Sequence, residues 1–376
     1  MTQSIPAWLR GAGILSARQI EALAGAGGVV AAEPLAAGQI QPASLDLRLG
    51  RRVWRMRASF LPGQGASVME RVERLALHEI DLARGAVLET GSVYVAELLE
   101  SLALPAEISA AANPKSSTGR IDVFTRVIAD RARAFDTVGP GYNGPLFAEI
   151  SPRTFPILAR TGARLSQVRF RNASTILDNE EHAALHARDP LVTSSAPVFI
   201  NGVGVSIDLE GFGDNGLVGY RARRHTGLID IDRVGAHDPR DFWEPMHADA
   251  RPGARRELVL DPGEFYILAS KEAVRVPPDY AAEMRPFDPL VGEFRVHYAG
   301  FFDPGFGVVE AGGAGARAVL EVRSHDVPFI LEDGQTIGSL VYERMAERPA
   351  RLYGAGLGSN YQAQGLKLSK HFRAPD

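Results

Sequence analysis

The sequence predicts a mainly β protein of two tandem domains, each a β-barrel or sandwich, with few short helices. The 376-residue chain is too long for one ordinary domain and long enough for two. An internal repeat relates its two halves. Short runs of β-branched, aromatic and apolar residues recur between Gly, Pro and Asp, a pattern typical of barrels and sandwiches.

The repeat is strongest between residues 87–104 and 259–276. A single shift along the sequence aligns the following pairs: Leu88 and Leu260, Gly91 and Gly263, Tyr94 and Tyr266, Pro105 and Pro277, Pro114 and Pro286, Glu149 and Glu321, Pro156 and Pro328, and Gly162 and Gly334. A slightly different shift aligns residues 44–47 with 206–209. Self-similarity at a fixed offset marks a repeated structural unit, so we interpret the halves as diverged copies of one domain.

Local patterns predict the main elements. The runs predicted to be strands are 92–97, 146–150, 265–269, 318–322 and 337–342. One helix is predicted to open at Ser16 and to end at the glycines of 25–28, and a second to cover 179–187. We therefore divide the chain into an N-terminal domain at 1–175, a linker at 176–200, a C-terminal domain at 201–346 and a tail at 347–376.

Composition limits the kinds of partner. A net charge of −4 and a pI of about 6.2 disfavour nucleic acid, because proteins that bind it usually carry a basic excess. No apolar run approaches the roughly 20 residues that span a bilayer, so no membrane partner is expected. Residues 1–6 lack a basic start followed by an apolar core, which favours a cytoplasmic protein without a signal peptide.

The chain contains no cysteine. Disulfides, thiol nucleophiles and the Cys- and His-ligated zinc of one class of deaminases are therefore excluded. His182 and His186 have the i, i+4 spacing of metal ligands on a helix. Because no Glu follows His182, the H-E-x-x-H pattern is absent, and we favour a solvated linker helix.

One polar stretch could bind an anion. Residues 115–120 read Lys-Ser-Ser-Thr-Gly-Arg, and hydroxyls with unpaired N–H groups in such a turn can hold an anion between the charges of Lys115 and Arg120. The alternative is a polar surface turn. Residues 39–50 read QIQPASLDLRLG, which by itself indicates an alternating strand followed by a turn at Gly50.

Glu149 and Glu321 each lie within an apolar strand, at matched positions of the repeat. A buried carboxylate is costly unless it is paired or used, and partial desolvation would suit it to general-base catalysis. Two alternatives stay open. Strand alternation could turn both side chains to solvent, or both could share a structural role.

The end of the chain combines an aromatic ring, amides, a glycine and lysines within residues 359–372. Such a segment can close over a nucleotide and exclude water, and the alternative is a disordered terminus. Because few core-type residues lie in 359–376, we expect its deletion to leave the fold intact.

Together these stretches resemble the dCTP deaminase family of the dUTPase-like superfamily. The resemblance rests on residues 13–20, on QIQPASLDLRLG, on Lys115 to Arg120, where the family begins with Arg, and on Tyr-Gln-Ala-Gln-Gly at 361–365. It covers almost the whole chain but is spread over two copies, whereas the usual member has one. It therefore implies two tandem dUTPase-like domains.

The resemblance also implies roles for individual residues. Glu149 and Glu321 are the candidate bases, and we favour Glu149 because the intact Ser-Ser segment lies in its own half. Ser116 and Arg120 are implied to help position the attacking water. The implied nucleotide-binding residues are Lys115, Ser116, Ser117, Arg120, Ala129, Asp136, Asp303, Tyr353, Tyr361 and Gln364.

The second copy departs from the family's pattern. Asp288, Pro289 and Gly292 stand where the first copy has its two serines and its arginine. A carboxylate repels phosphate and a proline removes an N–H donor, so this copy is expected to have lost its phosphate cradle. It keeps the family's Asp-Pro-Gly-aromatic phrase at 303–306, and it alone is followed by the tail. The two copies are thus expected to be complementary.

The activity implied by the resemblance is hydrolytic deamination of dCTP to dUTP and ammonia, in the synthesis of dUMP and dTTP precursors. It implies no zinc, Mg²⁺ carried on the triphosphate, dTTP as a candidate feedback inhibitor, and a homo-oligomer. Two alternatives stay open. One is a dUTPase or a bifunctional enzyme that also hydrolyses dUTP, and the other is a nucleotide-binding protein without catalysis.

Overall fold

The computed structural model of the chain describes residues 7–249, 251, 253, 255–286, 294–296, 300–313, 315–324, 326–354, 361–362 and 364–374. It is mainly β, as the sequence predicted. The chain divides into two compact units. Unit 1 comprises residues 1–175, 228–234 and 343–351, and unit 2 comprises residues 176–227, 235–342 and 352–376. No helix of the described part is long and apolar enough to cross a membrane.

The helices are short, and most of them begin with a side-chain N-cap. They are α1 (Ala17–Gly25), α2 (Val68–Leu75), α3 (Ser116–Gly119), α4 (Asn179–Arg188) and α5 (Pro239–Phe242), with 3₁₀ turns at Ala7–Leu9, Leu82–Arg84 and Val309–Ala311. The two predicted helices are α1 and α4. Helix α2 was not predicted, although Ser67 and Glu70 form a capping box whose Ser-x-x-Glu signature is readable in the sequence.

Strands make up most of both units. Those of the first half are β1 (Val29–Ala31), β2 (Leu45–Leu47), β3 (Leu49–Met56), β4 (Ala76–Asp81), β5 (Ala86–Leu88), β6 (Val93–Ala103), β7 (Ser109–Pro114), β8 (Val123–Ala129), β9 (Thr137–Val138), β10 (Asn143–Pro152), β11 (Ile157–Ala159) and β12 (Ser166–Arg171). Those of the second half are β13 (Val203–Ser206), β14 (Leu217–Ala222), β15 (Ile229–Asp230), β16 (Trp243–His247), β17 (Glu257–Leu260), β18 (Phe265–Val274), β19 (Tyr280–Pro286), β20 (Phe294–Val296), β21 (Phe301–Phe302), β22 (Ala316–Ser324), β23 (Phe329–Glu332) and β24 (Thr336–Arg344).

Each of the five predicted strands overlaps one of these, and each observed strand is longer than the run predicted for it. The turn expected at Gly50 is wrong, because Gly50 lies inside β3 and the chain leaves the strand conformation at Arg48 instead. A Cβ at Gly50 would meet the Glu97 side chain at 2.4 Å, so the glycine permits a close approach between β3 and β6.

Each unit packs its own sheets around its own core. In unit 1 the strand orders are β4-β3-β6-β10-β8, with β1 also on β6, then β2-β12-β7-β9 and β15-β11-β5. In unit 2 they are β16-β14-β18-β22-β20, β13-β24-β19-β21 and β17-β23. The apolar core of unit 1 includes Leu45, Val127 and Phe170, and that of unit 2 includes Leu268 and Leu320.

The internal repeat is kept at the level of strand register. Glu149 lies opposite Val95 on the β10–β6 ladder, and Glu321 lies opposite Ile267 on the β22–β18 ladder, so both partners obey the same shift. The β5–β11 and β17–β23 pairs obey it as well. The interpretation of two diverged copies therefore holds for pairings between distant strands and not only for sequence.

A tyrosine closes the same turn in each copy. The Tyr94 hydroxyl accepts the N–H of Glu89 at 3.0 Å, and the Tyr266 hydroxyl accepts the N–H of Asp261 at 3.0 Å. In each copy the turn between the N–H donor and the tyrosine needs a residue in the left-handed conformation. Gly91 (φ 69°) supplies it in the first copy and Gly263 in the second. The two copies therefore share this tyrosine-closed turn.

Two pieces of the second half belong to unit 1, which no local pattern predicted. Strand β15 pairs in parallel with β11, and the guanidinium of Arg160 contacts Asp230 at 2.7 Å and Asp232 at 2.9 Å. In the other piece, Glu347 accepts a hydrogen bond from Ser16 Oγ at 2.5 Å, at the start of α1. Both attachments depend on partners that are far away in sequence.

Candidate active site

The Lys-Ser-Ser-Thr-Gly-Arg segment forms the short helix α3, directly after β7. The Lys115 carbonyl accepts the N–H groups of Thr118 at 2.8 Å and Gly119 at 3.0 Å. The Thr118 hydroxyl donates to the Leu165 carbonyl at 2.9 Å and is therefore structural. Ser117, Thr118 and Arg120 are buried, whereas Lys115 and Ser116 are only half-buried. The two half-buried residues are thus the more accessible members of the segment.

Lys115 is held by a carboxylate from the other conspicuous stretch of the first half. Its Nζ lies 2.5 Å from Oδ1 of Asp46, which belongs to QIQPASLDLRLG and is buried. Arg164 approaches Oδ2 of the same carboxylate at 3.6 Å. Two cations thus share one anion, which leaves net positive charge beside α3. Sequence reasoning missed Arg164, because no motif marks it.

Glu149 is buried on β10, with 2% of its surface exposed. The alternative that strand alternation turns it to solvent is therefore wrong. Arg126, directly opposite on β8, donates to Oε1 from Nη2 at 2.5 Å and from Nε at 3.2 Å. Oε2 is also buried and has no hydrogen-bond partner among the residues that the structure describes. Sequence reasoning missed Arg126, which only the strand register identifies.

The loop between β8 and β10 ties its aspartates to the backbone. Ala129 ends β8 and is buried. The Asp136 carboxylate accepts the N–H of Val127 at 2.7 Å, and the Asp130 carboxylate accepts the N–H of Val68, at the start of α2, at 2.7 Å. Desolvation raises the pKa of nearby Tyr142, whose hydroxyl donates to a carbonyl at 2.6 Å, to about 12. Both aspartates thus already have structural partners.

Glu321, the second candidate base, is also buried, on β22. Its strand pairs with β18 on one side and with β20 on the other. The segment that replaces the serines in this copy, with Asp288, Pro289 and Gly292, lies outside the described residues.

Tyr353 and the Asp303 turn are brought together in unit 2. Asp303 is buried, and its carbonyl accepts the N–H of Phe306 at 3.1 Å. The Tyr353 N–H donates to the Pro304 carbonyl at 2.8 Å, and its ring centroid lies 5.7 Å from that of Phe306. A Cβ at Gly305 would lie 2.7 Å from that of Leu352, so this approach requires the glycine.

The described part of the tail packs on the same turn. Tyr361 is buried, and its hydroxyl accepts the N–H of Lys370 at 3.2 Å. Gln362 accepts the N–H of Gly307 at 3.0 Å, and its amide donates to the carbonyls of Gly305 at 3.1 Å and Ala311 at 3.2 Å. For residues 361–362 and 364–374, the alternative of a disordered terminus is therefore wrong.

Gln364 joins the tail to β22. Its Nε2 donates to the Arg317 carbonyl at 3.0 Å, while its buried Oε1 has no hydrogen-bond partner in the described part of the chain. The Arg317 side chain contacts Asp208 at 2.5 Å. Asp208 is the repeat counterpart of Asp46, so each copy pairs this aspartate with a cation. Arg317 was not singled out by the sequence.

The histidine pair of α4 has a structural role. His182 is fully buried, with Nδ1 2.6 Å from the Asp178 carbonyl, and its Nε2 accepts the N–H of Tyr342 at 3.0 Å. His186 accepts the N–H of Leu191 at 3.2 Å. The preference for a solvated helix is thus wrong for His182. Among the described residues, no group of three or more His, Cys, Asp or Glu could hold a metal ion.

Comparison with protein families and solved structures gives a consistent result. Residues 11–174 match the N-terminal domain of 2'-deoxycytidine 5'-triphosphate deaminase, and residues 178–372 match its C-terminal domain. The crystal structure of 2'-deoxycytidine 5'-triphosphate deaminase from Agrobacterium tumefaciens is 59% identical, with a TM-score of 0.87. The match covers 93% of this chain and 100% of that one.

Curated relatives match only part of the chain. A protein named dCTP deaminase, dUMP-forming, from Beutenbergia cavernae is 30% identical over 151 residues, which are 39% of this chain and 74% of the relative. A protein of the same name from Nocardia farcinica is 29% identical over 166 residues, 43% of this chain and 79% of the relative. In each case most of the relative aligns with less than half of this chain.

Proposed function

Because the chain belongs to the 2'-deoxycytidine 5'-triphosphate deaminase family, we propose that it hydrolyses dCTP to dUTP and ammonia with Glu149 as the general base. The observation that carries the proposal is the Glu149 carboxylate. It is buried, one oxygen is held by Arg126, and the other has no partner among the described residues. A buried lone pair of this kind suits a water molecule that must lose a proton.

The chemistry needs one relay group. As the water oxygen bonds to C4 of cytosine, one of its O–H bonds breaks and the proton passes to Oε2 of Glu149. The C4–N4 bond then breaks as this proton moves to the departing amino group, which leaves as ammonia. The second proton of the water ends on N3, so that C4 becomes a carbonyl. No redox partner is required.

Triphosphate binding is assigned to the first copy. Lys115 and Arg164 surround a single carboxylate, which leaves net positive charge beside the hydroxyls of Ser116 and Ser117. Arg120 follows these serines directly and is proposed to position the water together with Ser116. Mg²⁺ arrives with the nucleotide, since it screens the charges of the triphosphate.

The base, the sugar and the lid are assigned to the remaining candidates. The Ala129 backbone at the end of β8 is proposed to approach cytosine, and Asp136 and Asp303 to approach the sugar. Tyr353, Tyr361 and Gln364 are proposed to cover the nucleotide. In support, Tyr353 and the tail residues pack on or beside the Asp303 turn, and the buried Oε1 of Gln364 accepts no hydrogen bond from the residues that the structure describes.

Assembly and regulation follow from the family resemblance and remain proposals. We propose a homo-oligomer in the cytoplasm that contributes to dTTP precursor synthesis. dTTP shares its deoxyribose and triphosphate with dCTP, so it is proposed to compete for the same site as a feedback inhibitor.

The second candidate is a bifunctional enzyme, which the dUMP-forming names of the two relatives favour. Hydrolysis of dUTP needs a carboxylate to activate a second water. Asp130 and Asp136 are the candidates for this carboxylate in the first copy. Each already accepts a backbone N–H group at 2.7 Å. We therefore keep the simpler reaction, which stops at dUTP.

Incubation of the purified protein with dCTP and Mg²⁺ tests both candidates, with chromatography for dUTP, an ammonia assay, and phosphorus NMR for pyrophosphate. We expect dUTP and ammonia in equal amounts, little pyrophosphate, and no comparable consumption of added dUTP. Early pyrophosphate that matches the ammonia released would establish the bifunctional reaction instead. Binding of dCTP without any turnover would support the non-catalytic alternative.

A further inference from the structure

The contact between Arg126 and Glu149 is one-sided. Both donor nitrogens, Nε at 3.2 Å and Nη2 at 2.5 Å, converge on Oε1, and the ion pair leaves Oε2 untouched. An arginine that only stabilises a buried carboxylate commonly uses the parallel arrangement, with one nitrogen on each oxygen. Here the two lone pairs of Oε1 are both occupied, while those of the buried Oε2 have no partner among the described residues.

The guanidinium of Arg126 is itself held from several sides. Nη2 donates to Ser59 Oγ at 2.9 Å. The guanidinium carbon lies 3.5 Å from the ring centroid of Phe135 and 4.8 Å from that of Phe124. Cation–π contacts on two rings and a hydrogen bond to a third group restrict rotation of the planar fork. The orientation of Arg126 therefore does not depend on Glu149 alone.

We propose that Arg126 is a positioning residue that selects Oε2 of Glu149 as the oxygen that takes the proton from water. The proposal rests on the proposed function. With Oε1 saturated, only Oε2 can receive the proton, and the ladder between β8 and β10 places Arg126 directly opposite Glu149. Arg126 thus acts through Glu149, and its effect on turnover requires that carboxylate.

Kinetic variants test this coupling. Arg126→Ala should lower kcat for dCTP by about 10²-fold, because a carboxylate that can rotate loses the productive geometry, while KM should change little. Arg126→Lys should be intermediate, because an ammonium supplies charge without the planar fork. Added guanidinium should partly restore turnover in Arg126→Ala. Arg153→Ala is the matched control, since Arg153 is exposed and stacks on Phe124 at 5.6 Å without contacting Glu149. Its kcat should equal that of the wild type.

A double-mutant cycle separates the proposal from the proposed function. In the Glu149→Gln background, Arg126→Ala should have no further effect on kcat, because the group it positions is already lost. Wild-type kcat in Arg126→Ala, with Glu149→Gln inactive, would overturn the positioning role and leave the function intact. A rise in KM with unchanged kcat would also overturn it. Wild-type activity in Glu149→Gln would instead remove the base assignment itself. If Arg126→Ala fails to fold, the same cycle with Arg126→Lys decides.

Discussion

Charged residues that stand out in the sequence of this protein pair with oppositely charged residues that are distant in sequence. Lys115 belongs to a polar segment that resembles a phosphate site, yet its ammonium also lies 2.5 Å from Asp46. Glu149 is a carboxylate in an apolar strand, yet Arg126 holds one of its oxygens. In both cases the charged partner offsets part of the desolvation cost of burial. The roles proposed for Lys115 and Glu149 therefore involve pairs of residues.

The first prediction concerns which glutamate is the base. Glu149→Gln keeps the shape of the side chain but removes the proton acceptor, so kcat for dCTP should fall by about 10²–10⁴-fold. Glu321→Gln, the matched change in the other copy, should retain most activity. Steady-state kinetics on both variants, with melting curves as a folding control, makes the measurement. Loss of activity in Glu321→Gln alone would move the base to the second copy, and wild-type rates in both and in the double variant would refute the mechanism.

Among the elements, α4 is fastened to β24 by a neutral histidine. His182 donates from Nδ1 to the carbonyl of Asp178 and accepts at Nε2 from the N–H of Tyr342. A protonated ring would have no acceptor for the Tyr342 N–H. Burial accordingly lowers the pKa of His182 from its ordinary value of 6.5.

The second prediction follows from that shift. Below about pH 6.5 the unfolded chain binds a proton that folded His182 excludes. The free energy of unfolding should therefore decrease as the pH falls below 6.5. His182 contributes up to about 1.4 kcal/mol per pH unit to this decrease, until the pH reaches its lowered pKa. Above pH 6.5 the stabilising contribution of His182 is complete. Urea unfolding from pH 7 to 5 measures it. His182→Phe should flatten this dependence and be less stable, whereas His247→Gln, a change at an exposed histidine, should keep the wild-type slope. An unchanged slope in His182→Phe would contradict the assignment.

The end of the tail is a structural element of unit 2. Phe372 is buried, with its ring centroid 5.4 Å from that of Phe242 and 5.9 Å from that of Trp243. Leu368 is buried as well. The expectation that residues 359–376 could be deleted without loss of core is therefore wrong. The local sequence resembled a loose terminus because its apolar residues are sparse.

The third prediction tests this role. Phe372→Ala should destabilise the protein by about 3–5 kcal/mol, as expected for removing a buried aromatic side chain. The neighbouring change Arg373→Ala, at an exposed ion pair, should cost about 0–1 kcal/mol. Chemical unfolding compares the two, and equal stability would show the ring to be dispensable.

The lid is better tested with Gln364→Ala, which should lower dCTP turnover with a small effect on melting temperature.

At the scale of the whole molecule, two copies share one plan and differ in their side chains. Both retain the register around Glu149 and Glu321 and the tyrosine-closed turn. The Ser-Ser segment occurs in the first copy only, and the tail follows the second. Such a division fits duplication followed by specialisation, with the fold conserved by packing and the polar residues free to diverge.

The fourth prediction is that the whole protein deaminates without zinc. The chain has no cysteine and therefore cannot form the Cys- and His-ligated centre of the zinc deaminases. Elemental analysis of active protein should find no stoichiometric zinc, and removal of Mg²⁺ should weaken dCTP binding because the triphosphate loses its counterion. One tightly bound zinc per active site would refute the prediction.

The sequence by itself determined the β class, the duplication, and helices α1 and α4. It also identified the polar segment that begins at Lys115. Each can be read directly from the sequence, through the Gly, Pro and Asp residues between strands, a constant repeat offset, helix-capping residues and a cluster of polar residues. It also placed Glu149 in an apolar strand, but it could not tell a buried carboxylate from an exposed one.

Only the tertiary structure decided the partners. Arg126 meets Glu149 through the register of β8 on β10, Arg164 meets Asp46, and β15 adds to a sheet of unit 1. The physical reason is that a strand's neighbours are set by packing of the whole sheet, and a slip of one residue would turn every side chain to the other face. Contacts between residues so far apart in sequence leave no local pattern, so the charged partner of the buried carboxylate is visible only in the folded chain.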